Sequence, residues 1–277
     1  MKILDAFPFF NEVELLRIRL EMLYDKVDHF IISEANVTFT GKPKDYNFLR
    51  HGKEFAEFND KIIFLQYEPD LSGLDFSTKD TSYNPSSSPW IVERGQRDLL
   101  YSAIRAFDEE DLAFICDLDE IWNPDLAEVL KSQFAEHNLL RLEMDFHYYF
   151  MNCVGIGGGN SKWRHPFVAK VQYLNSNPNL SALRTGAQAP AIQNSGWHFS
   201  YLGGAKKISE KLDAFSHQEI NTPELNNLKH LRECVNLGID HMGRKDHDWA
   251  FKPLGRYPEK LSTIMRKYPS LIRSSLD

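Results

Sequence analysis

Three cysteines are all that this 277-residue chain contains. Cys116, Cys153 and Cys234 lie far apart with no C-x-x-C pair, which excludes a disulfide scaffold and reads as buried thiols in a reducing compartment. Long apolar runs are missing too. Stretches such as Phe30-Ile31-Ile32 and Leu112-Ala113-Phe114-Ile115 fall far short of the ~20 residues needed to span a bilayer. The opening, Met1 to Pro8, has one early positive charge, and Asp5 interrupts what little is apolar. It reads as a first strand rather than a signal peptide or anchor, and the expected location is cytoplasmic. Positive charge is not in excess: 32 Lys and Arg against 39 Asp and Glu give a net charge of -7. That balance argues against broad capture of nucleic acid or anionic lipid, while leaving room for a local basic pocket. Internal repeats are absent as well.

What the chain does have is an ordinary globular composition, 42% hydrophobic, 26% charged and 13% aromatic. Disordered and fibrous classes do not fit it, and the length suits one large α/β domain or two small ones with a core that needs no staples. Residues 2–7 read as a strand. Asn11, with Glu14 three places on, has capping-box logic for a helix buried through Val13, Leu16, Leu20 and Leu23. Residues 27–34 and 61–67 read as the next strands, with a short helix around 54–58 between them. Ser88-Pro89 opens a helix buried through Leu100, Ala103, Ile104 and Phe107, which leads into a strand over 112–117. A further helix is expected from Asn123-Pro124. Beyond it Leu140, Leu142, Met144 and Phe146 alternate with Arg141, Glu143, Asp145 and His147, the period of a strand with one buried face. After residue 150 the stretches 155–159 and 175–194 read as loops around a strand at 167–174. Residues 196–202 read as a strand and 204–215 and 223–237 as helices, with Gly238 as a C-cap. The alternation predicts an α/β fold with a largely parallel, doubly wound sheet, whose ligands lie at the carboxyl ends of the strands.

The most informative segment is Phe114-Ile115-Cys116-Asp117-Leu118-Asp119-Glu120-Ile121, which places three carboxylates where a buried strand runs out into a loop. Extended alternation would put Asp117 and Asp119 on one side, facing one hard cation that can itself hold a diphosphate. D-x-D also occurs by chance, and the same acids could cap the helix near Asn123-Pro124 or be solvated.

Several ordered motifs decide between these readings. Phe7-Pro8-Phe9-Phe10-Asn11-Glu12, then Glu14-Leu15-Leu16 and Arg19-Leu20, resemble the opening of glycosyltransferase family 17. The resemblance continues through Val27-Asp28, Ile31 to Ala35, Thr38 to Lys44, Arg94 to Asp98, Asp117 to Ile121 and Gly196-Trp197-His198-Phe199-Ser200. It covers about 200 residues and is weakest from about 150 to 190 and after 240. The family includes the animal enzyme that adds the bisecting N-acetylglucosamine to N-glycans. The resemblance implies a nucleotide-sugar-binding GT-A fold with a mostly parallel, Rossmann-like central sheet and inversion at the anomeric centre. It also implies a UDP-sugar donor, a glycan or glycolipid acceptor and a divalent metal, manganese or magnesium. A single domain is expected, with a nucleotide-binding half over 1–122 and an acceptor-side half with C-terminal helices over 123–277.

Within that frame Asp119 is the expected metal ligand, Asp117 binds the metal or the ribose, Glu120 supports them, and His198 completes the metal site. A histidine beside Trp197 could equally be a packed, hydrogen-bonded residue. Asn11, Glu12, Glu34, Thr40 and Lys42 fall on the expected rim of the nucleotide pocket, where capping and turn formation are the simpler roles for Asn11 and Gly41. Arg94 and Arg97 share one helical face and could reach diphosphate oxygens, as could His217. The base that takes the acceptor proton is read as Glu219, with Glu143 and Asp145 as rivals. Trp163 and Trp197 could stack on sugars or belong to the core. The polar run Asp240, His241, Asp246, His247 and Asp248 matches no metal spacing and reads as a solvated loop. Competing functions are a glycan-binding module with a calcium site, a sugar nucleotidyltransferase, which would need a Gly-rich loop after the first strand, and a glycoside hydrolase.

Overall fold

A computed structural model describes residues 1–78 and 80–273. The chain runs β1 (Ile3–Pro8), α1 (Val13–Leu23), β2 (His29–Ala35), α2 (Asn47–Arg50), β3 (Ile62–Tyr67), α3 (Ser88–Ile104), β4 (Leu112–Ile115) and β5 (Glu120–Trp122). It continues through α4 (Ala127–Gln133), β6 (Leu139–Leu142), β7 (Met144–Tyr148), β8 (Cys153–Gly155), β9 (Lys162–Trp163), β10 (Phe167–Lys170), α5 (Val171–Ser176) and α6 (Leu180–Gly186). The last elements are β11 (Ala191–Ile192), β12 (Gly196–Ser200), α7 (Gly204–Ala214), α8 (Leu228–Leu237), β13 (Trp249–Phe251) and α9 (Glu259–Lys267).

The first sheet has the order β11-β6-β10-β4-β1-β2-β3. Strands β4, β1, β2 and β3 are parallel neighbours, as the alternation predicts. Strand β10 departs from it, pairing antiparallel with both β4 and β6, so the sheet is mixed. Both faces are covered. Ile3, Phe7, Phe30 and Phe114 pack under α1 and α9, while Leu4, Ala6, Ile31 and Ala113 pack against Leu100 and Ile104 of α3. That two-sided burial is why β1 and β4 read as apolar runs rather than alternating strands.

A second sheet, β13-β8-β7-β12-β5 with β9 on β7, was not visible in the periodicity. Residues 140–147, expected as one strand, divide at Glu143 between β6 of the first sheet and β7 of the second. The apparent polar face misled because Arg141 is itself buried. Its guanidinium donates to the carbonyls of Leu183, Arg184 and Ala187 at the end of α6 (2.7–3.2 Å) and to that of His165 (2.8 Å). A buried cation is thereby solvated by a helix C-terminus. The largest apolar cluster draws on residues from both sides of position 122.

Local chemistry accounts for other differences. No capping box forms at Asn11: Glu12 holds the N-cap position of α1 and its carboxylate accepts the Asn11 amide N–H at 3.1 Å. Helix α8 starts at Leu228, later than expected, because the Asn227 carboxamide accepts from the amides of Lys229 and His230. Gly238 takes the expected left-handed C-cap, φ 67°. Within 175–194, expected as loop, lies α6, capped by Asn179. The strand expected over 167–174 turns into α5 after Lys170.

Gly196 joins β12 to β5 where no side chain fits. Its φ is +146°, and a Cβ would lie 2.2 Å from the Ile121 carbonyl oxygen. Gly196→Ala is expected to destabilise the fold by about 3 kcal/mol. Urea unfolding checks this: the midpoint should fall with an unchanged m-value.

Candidate active site

Strand β4 ends at Ile115, and buried Cys116 leads into a turn over Leu118 and Asp119 in which the Glu120 amide donates to the Asp117 carbonyl at 3.0 Å. The turn is held from beneath by Arg19 of α1, which is fully buried. Its guanidinium forks onto Asp5 of β1 (2.6 and 2.8 Å) and donates to the carbonyls of Asp117, Leu118 and Glu120 (2.7–3.1 Å). The Trp122 indole donates to the same Asp5 carboxylate at 3.0 Å. One ion pair under the sheet therefore sets the path of the acidic loop.

The chain turns instead of remaining extended, and Asp117 and Asp119 meet different basic side chains. Asp117 accepts from Arg97 at 2.9 Å and from Arg184 at 2.7 Å. Glu120, fully buried, accepts from Arg184 (2.5 and 2.9 Å), from the Trp163 indole (2.5 Å) and from the Asp117 amide (2.5 Å). Asp119 has separate partners: Lys211 Nζ lies 3.0 Å from Oδ2 and His198 Nε2 lies 3.5 Å from Oδ1. Among the described residues no three His, Cys, Asp or Glu side chains converge on one metal position.

The electrostatics follow this pairing. Burial works to raise the Asp117 carboxyl, but the Arg184 and Arg97 guanidiniums outweigh it and hold the group at about 2. Burial likewise opposes ionisation of Asp119, and Lys211 and His198 carry it well below the ordinary carboxylate range. The folded value of Asp117 lies below its unfolded value of 3.8, so the unfolded chain takes up the proton first as the pH falls. The stabilisation is present above about pH 4 and is lost as the pH drops towards 2. Asp117→Asn is expected to flatten the decline of the urea midpoint between those limits; an unchanged slope would show that the arginine pair does not hold this carboxylate.

Asp119 forms part of the wall of a cavity of about 560 Å³ between the start of α1, the end of α2, the end of β12 and the start of α7. Asn11, Glu12, Glu14, Arg50, Tyr201, Lys207 and Lys211 line it. Beside it lies a slot of about 80 Å³ walled by Phe10, Val37, Phe39 and Phe215, with Gln96 and Lys44 at its polar edge. Glu12 and Lys211 line both spaces.

Of the residues singled out in the sequence, Asn11, Glu12 and Asp119 reach the large cavity. His198 stands behind Asp119, stacked on Phe146 at 4.7 Å, with its Nδ1 buried and unpartnered. Glu34 serves the fold instead: its carboxylate accepts from Lys44 (2.5 Å) and from the Asn47 and Phe48 amides (2.7 and 2.9 Å), capping α2. Thr40 ties its loop to the Asp213 carbonyl at 3.0 Å, and Lys42 lines neither space. Arg94 donates back to the Trp90 carbonyl. Arg97 pairs with Glu93 and Asp117, and its Nε is buried without a partner. His217 and Glu219 pair with each other at 2.6 Å beside Trp90, and neither lines either of these two spaces. Glu143 pairs with Arg164, and Asp145 with Lys162. Trp163 packs against Phe146 and His198, and Trp197 belongs to the core. The run from Asp240 is more ordered than a solvated loop: Asp240 pairs with Arg244, and His241 is buried against Tyr148 and Tyr149.

Sequence reasoning missed Arg19, Arg184 and Lys211 as site residues. Arg184 fell in a segment read as loop, and Lys211 sat among polar residues of an amphipathic helix whose outer face would ordinarily be solvated.

The family model described as glycosyltransferase family 17 matches residues 1–272. No curated protein matches the chain. Among solved structures it is similar to S. aureus TarS 1-349, at 11% identity and a TM-score of 0.40, over 88% of this chain and 74% of that one. A longer S. aureus TarS chain is similar at 12% identity and a TM-score of 0.40, over 77% of this chain and 40% of that one. Mannose-6-phosphate isomerase from Helicobacter pylori is similar at 10% identity and a TM-score of 0.36, over 79% and 94% of the two chains. Among the described residues no helix is long and apolar enough to cross a membrane.

Proposed function

The chain belongs to glycosyltransferase family 17, and from that premise we propose that it transfers N-acetylglucosamine or a related hexose, with inversion, from a UDP-sugar to a hydroxyl of a glycan or glycolipid. The observation that carries this reading is the position of Asp119. It lies just past the carboxyl end of β4, the place where a parallel sheet presents ligands, and faces a cavity large enough for a sugar beside a slot the size of a base. The aromatic slot formed by Phe10, Phe39 and Phe215 suits a planar uracil, with the Glu12–Lys211 wall between it and the sugar.

Asp119 and His198 are the residues that would hold a divalent cation, manganese or magnesium. An imidazole and a carboxylate oxygen 3.5 Å apart are a compatible donor pair, whereas Asp117 is already forked between two arginines. When bound, the cation supplies positive charge against a diphosphate. The chain's own groups do the rest. The acceptor oxygen attacks the anomeric carbon as its bond to the diphosphate oxygen breaks, and the hydroxyl proton passes to a carboxylate.

That carboxylate needs a free lone pair within reach of the acceptor. Glu219, Glu143 and Asp145 are each paired with a basic side chain. Glu12 and Glu14 line the cavity without an ion pair among the described residues, and Glu12 touches both spaces. Glu12→Gln is expected to lower kcat about 100-fold, while Glu219→Gln changes it less than about tenfold. Steady-state kinetics on the two variants checks the assignment, and the reverse order would return the base role to Glu219.

The proposed function is tested by thermal unfolding with UDP, a panel of UDP-sugars and other nucleotide sugars, with and without manganese. Ligand that binds only the folded state raises the midpoint. A rise selective for one UDP-sugar names the donor for an acceptor screen. No rise with any nucleotide, at saturating concentration in folded protein, would sink the reading.

A further inference from the structure

We propose that Lys211 is a resident cation of the diphosphate site, so that this chain binds the UDP moiety without a divalent metal and a metal at Asp119 and His198 only adds to that binding. The inference rests on the UDP-sugar reading above and deepens it.

The placement of Lys211 is unlike that of the other cations around the acidic loop. Helix α7 anchors it through Ile208 and Leu212, both fully buried, and directs its stem inward. The ammonium reaches Asp119 Oδ2 at 3.0 Å, passes 5.4 Å from the Tyr201 ring and lies on the wall common to both cavities. Arg97 and Arg184 are locked onto Glu93, Asp117 and Glu120, Lys44 onto Glu34, and Arg19 onto Asp5. Lys207 and Arg50 also line the large cavity, but neither reaches the slot, and Lys207 is more than half exposed beside Glu210. Lys211 alone of these stands where a base in the slot and a sugar in the cavity would be joined.

A diphosphate crossing that wall brings two adjacent anionic groups into a partly desolvated space, and a cation already there meets them without being recruited. Lysine suits an exchange of partners, because its flexible stem and point charge can turn from a carboxylate to a phosphate without a fixed fork geometry. The two oxygens of Asp119 divide the work. Oδ2 holds Lys211 and Oδ1 faces His198, so a divalent metal would be held by Asp119 and His198, and its positive charge there would weaken the carboxylate's hold on the ammonium. Metal and lysine are thus linked through one carboxylate rather than exclusive.

The experiment is isothermal titration of UDP into wild type, Lys211→Met, Lys211→Arg and Asp119→Asn, in EDTA and again in manganese, with an unfolding scan of each variant to confirm folding. The expected results in EDTA are measurable UDP binding by the wild type, a loss of about tenfold or more in Lys211→Met, and retention within about threefold in Lys211→Arg. Asp119→Asn leaves Lys211 a neutral amide oxygen in place of a carboxylate and so loosens its hold on the ammonium; affinity in EDTA is expected to be equal or tighter, while the gain from manganese disappears. Wild type that binds UDP only with manganese, or a folded Lys211→Met with unchanged affinity in EDTA, overturns the proposal and leaves the UDP-sugar reading intact. Absence of UDP binding in both conditions overturns both.

Discussion

Arg19→Met is expected to cost the fold about 3–5 kcal/mol, a large part of the 5–15 kcal/mol by which a typical domain is stable. The substitution keeps the stem volume and removes a charge that is fully buried with its partner Asp5. Asp5 would be left as a buried carboxylate with, among the described residues, only the Trp122 indole to answer it. Three carbonyls of the acidic loop would lose their donor in the same step. Urea unfolding measures the loss, and the double variant Asp5→Leu with Arg19→Met separates its causes. If the penalty comes from the orphaned carboxylate, the double variant recovers part of it. If the single variant loses less than about 1 kcal/mol, the pair under β1 is not what supports the loop. A folded remainder at low temperature is expected to bind UDP poorly, since the loop that carries Asp119 is hung from that guanidinium.

Asp119→Asn is expected to lower kcat/KM for sugar transfer about 1000-fold, the scale on which removing one preorganised electrostatic group acts. The carboxamide keeps the shape and can still accept from Lys211, but it no longer offers a full negative charge to a cation or to the ammonium. The test is steady-state transfer with the donor found by the unfolding screen, beside Asp117→Asn as a comparison. Asp117 is held by two guanidiniums and lines neither cavity, so its loss is expected to show more in stability than in the manganese-dependent part of binding. Equal activity in Asp119→Asn and wild type would remove Asp119 from the mechanism. An equal loss in both variants would instead make the loop one structural unit.

These two residues mark the extremes of what could be read in advance. The place of Asp119 on a loop past β4 was legible, because a carboxylate pair past a buried strand is a local pattern and the motifs around it resemble a family whose model matches nearly the whole chain. Arg19 was visible as part of a helix and of a family motif, one polar residue on a side that periodicity marks as apolar, with nothing to assign it a partner. Glu34 shows the opposite failure: its place after β2 suggested a nucleotide pocket, and its oxygens are spent on α2 and Lys44. The break of β6 from β7 at Glu143 escaped because alternation is the same on either side of a strand that changes sheets.

The sequence by itself determined the alternating strands and helices, the parallel character of the first strands, the family and the acidic loop. Each depends on residues a few places apart, where burial and backbone period are coupled directly. Only the tertiary structure decided which cations answer which acids. Arg184 comes to Asp117 from 67 residues away and Lys211 to Asp119 from 92. No local pattern encodes such partners, because they meet only once the sheets and helices between them have closed, and it is that closure which sorts the acids of one short motif into two charge clusters.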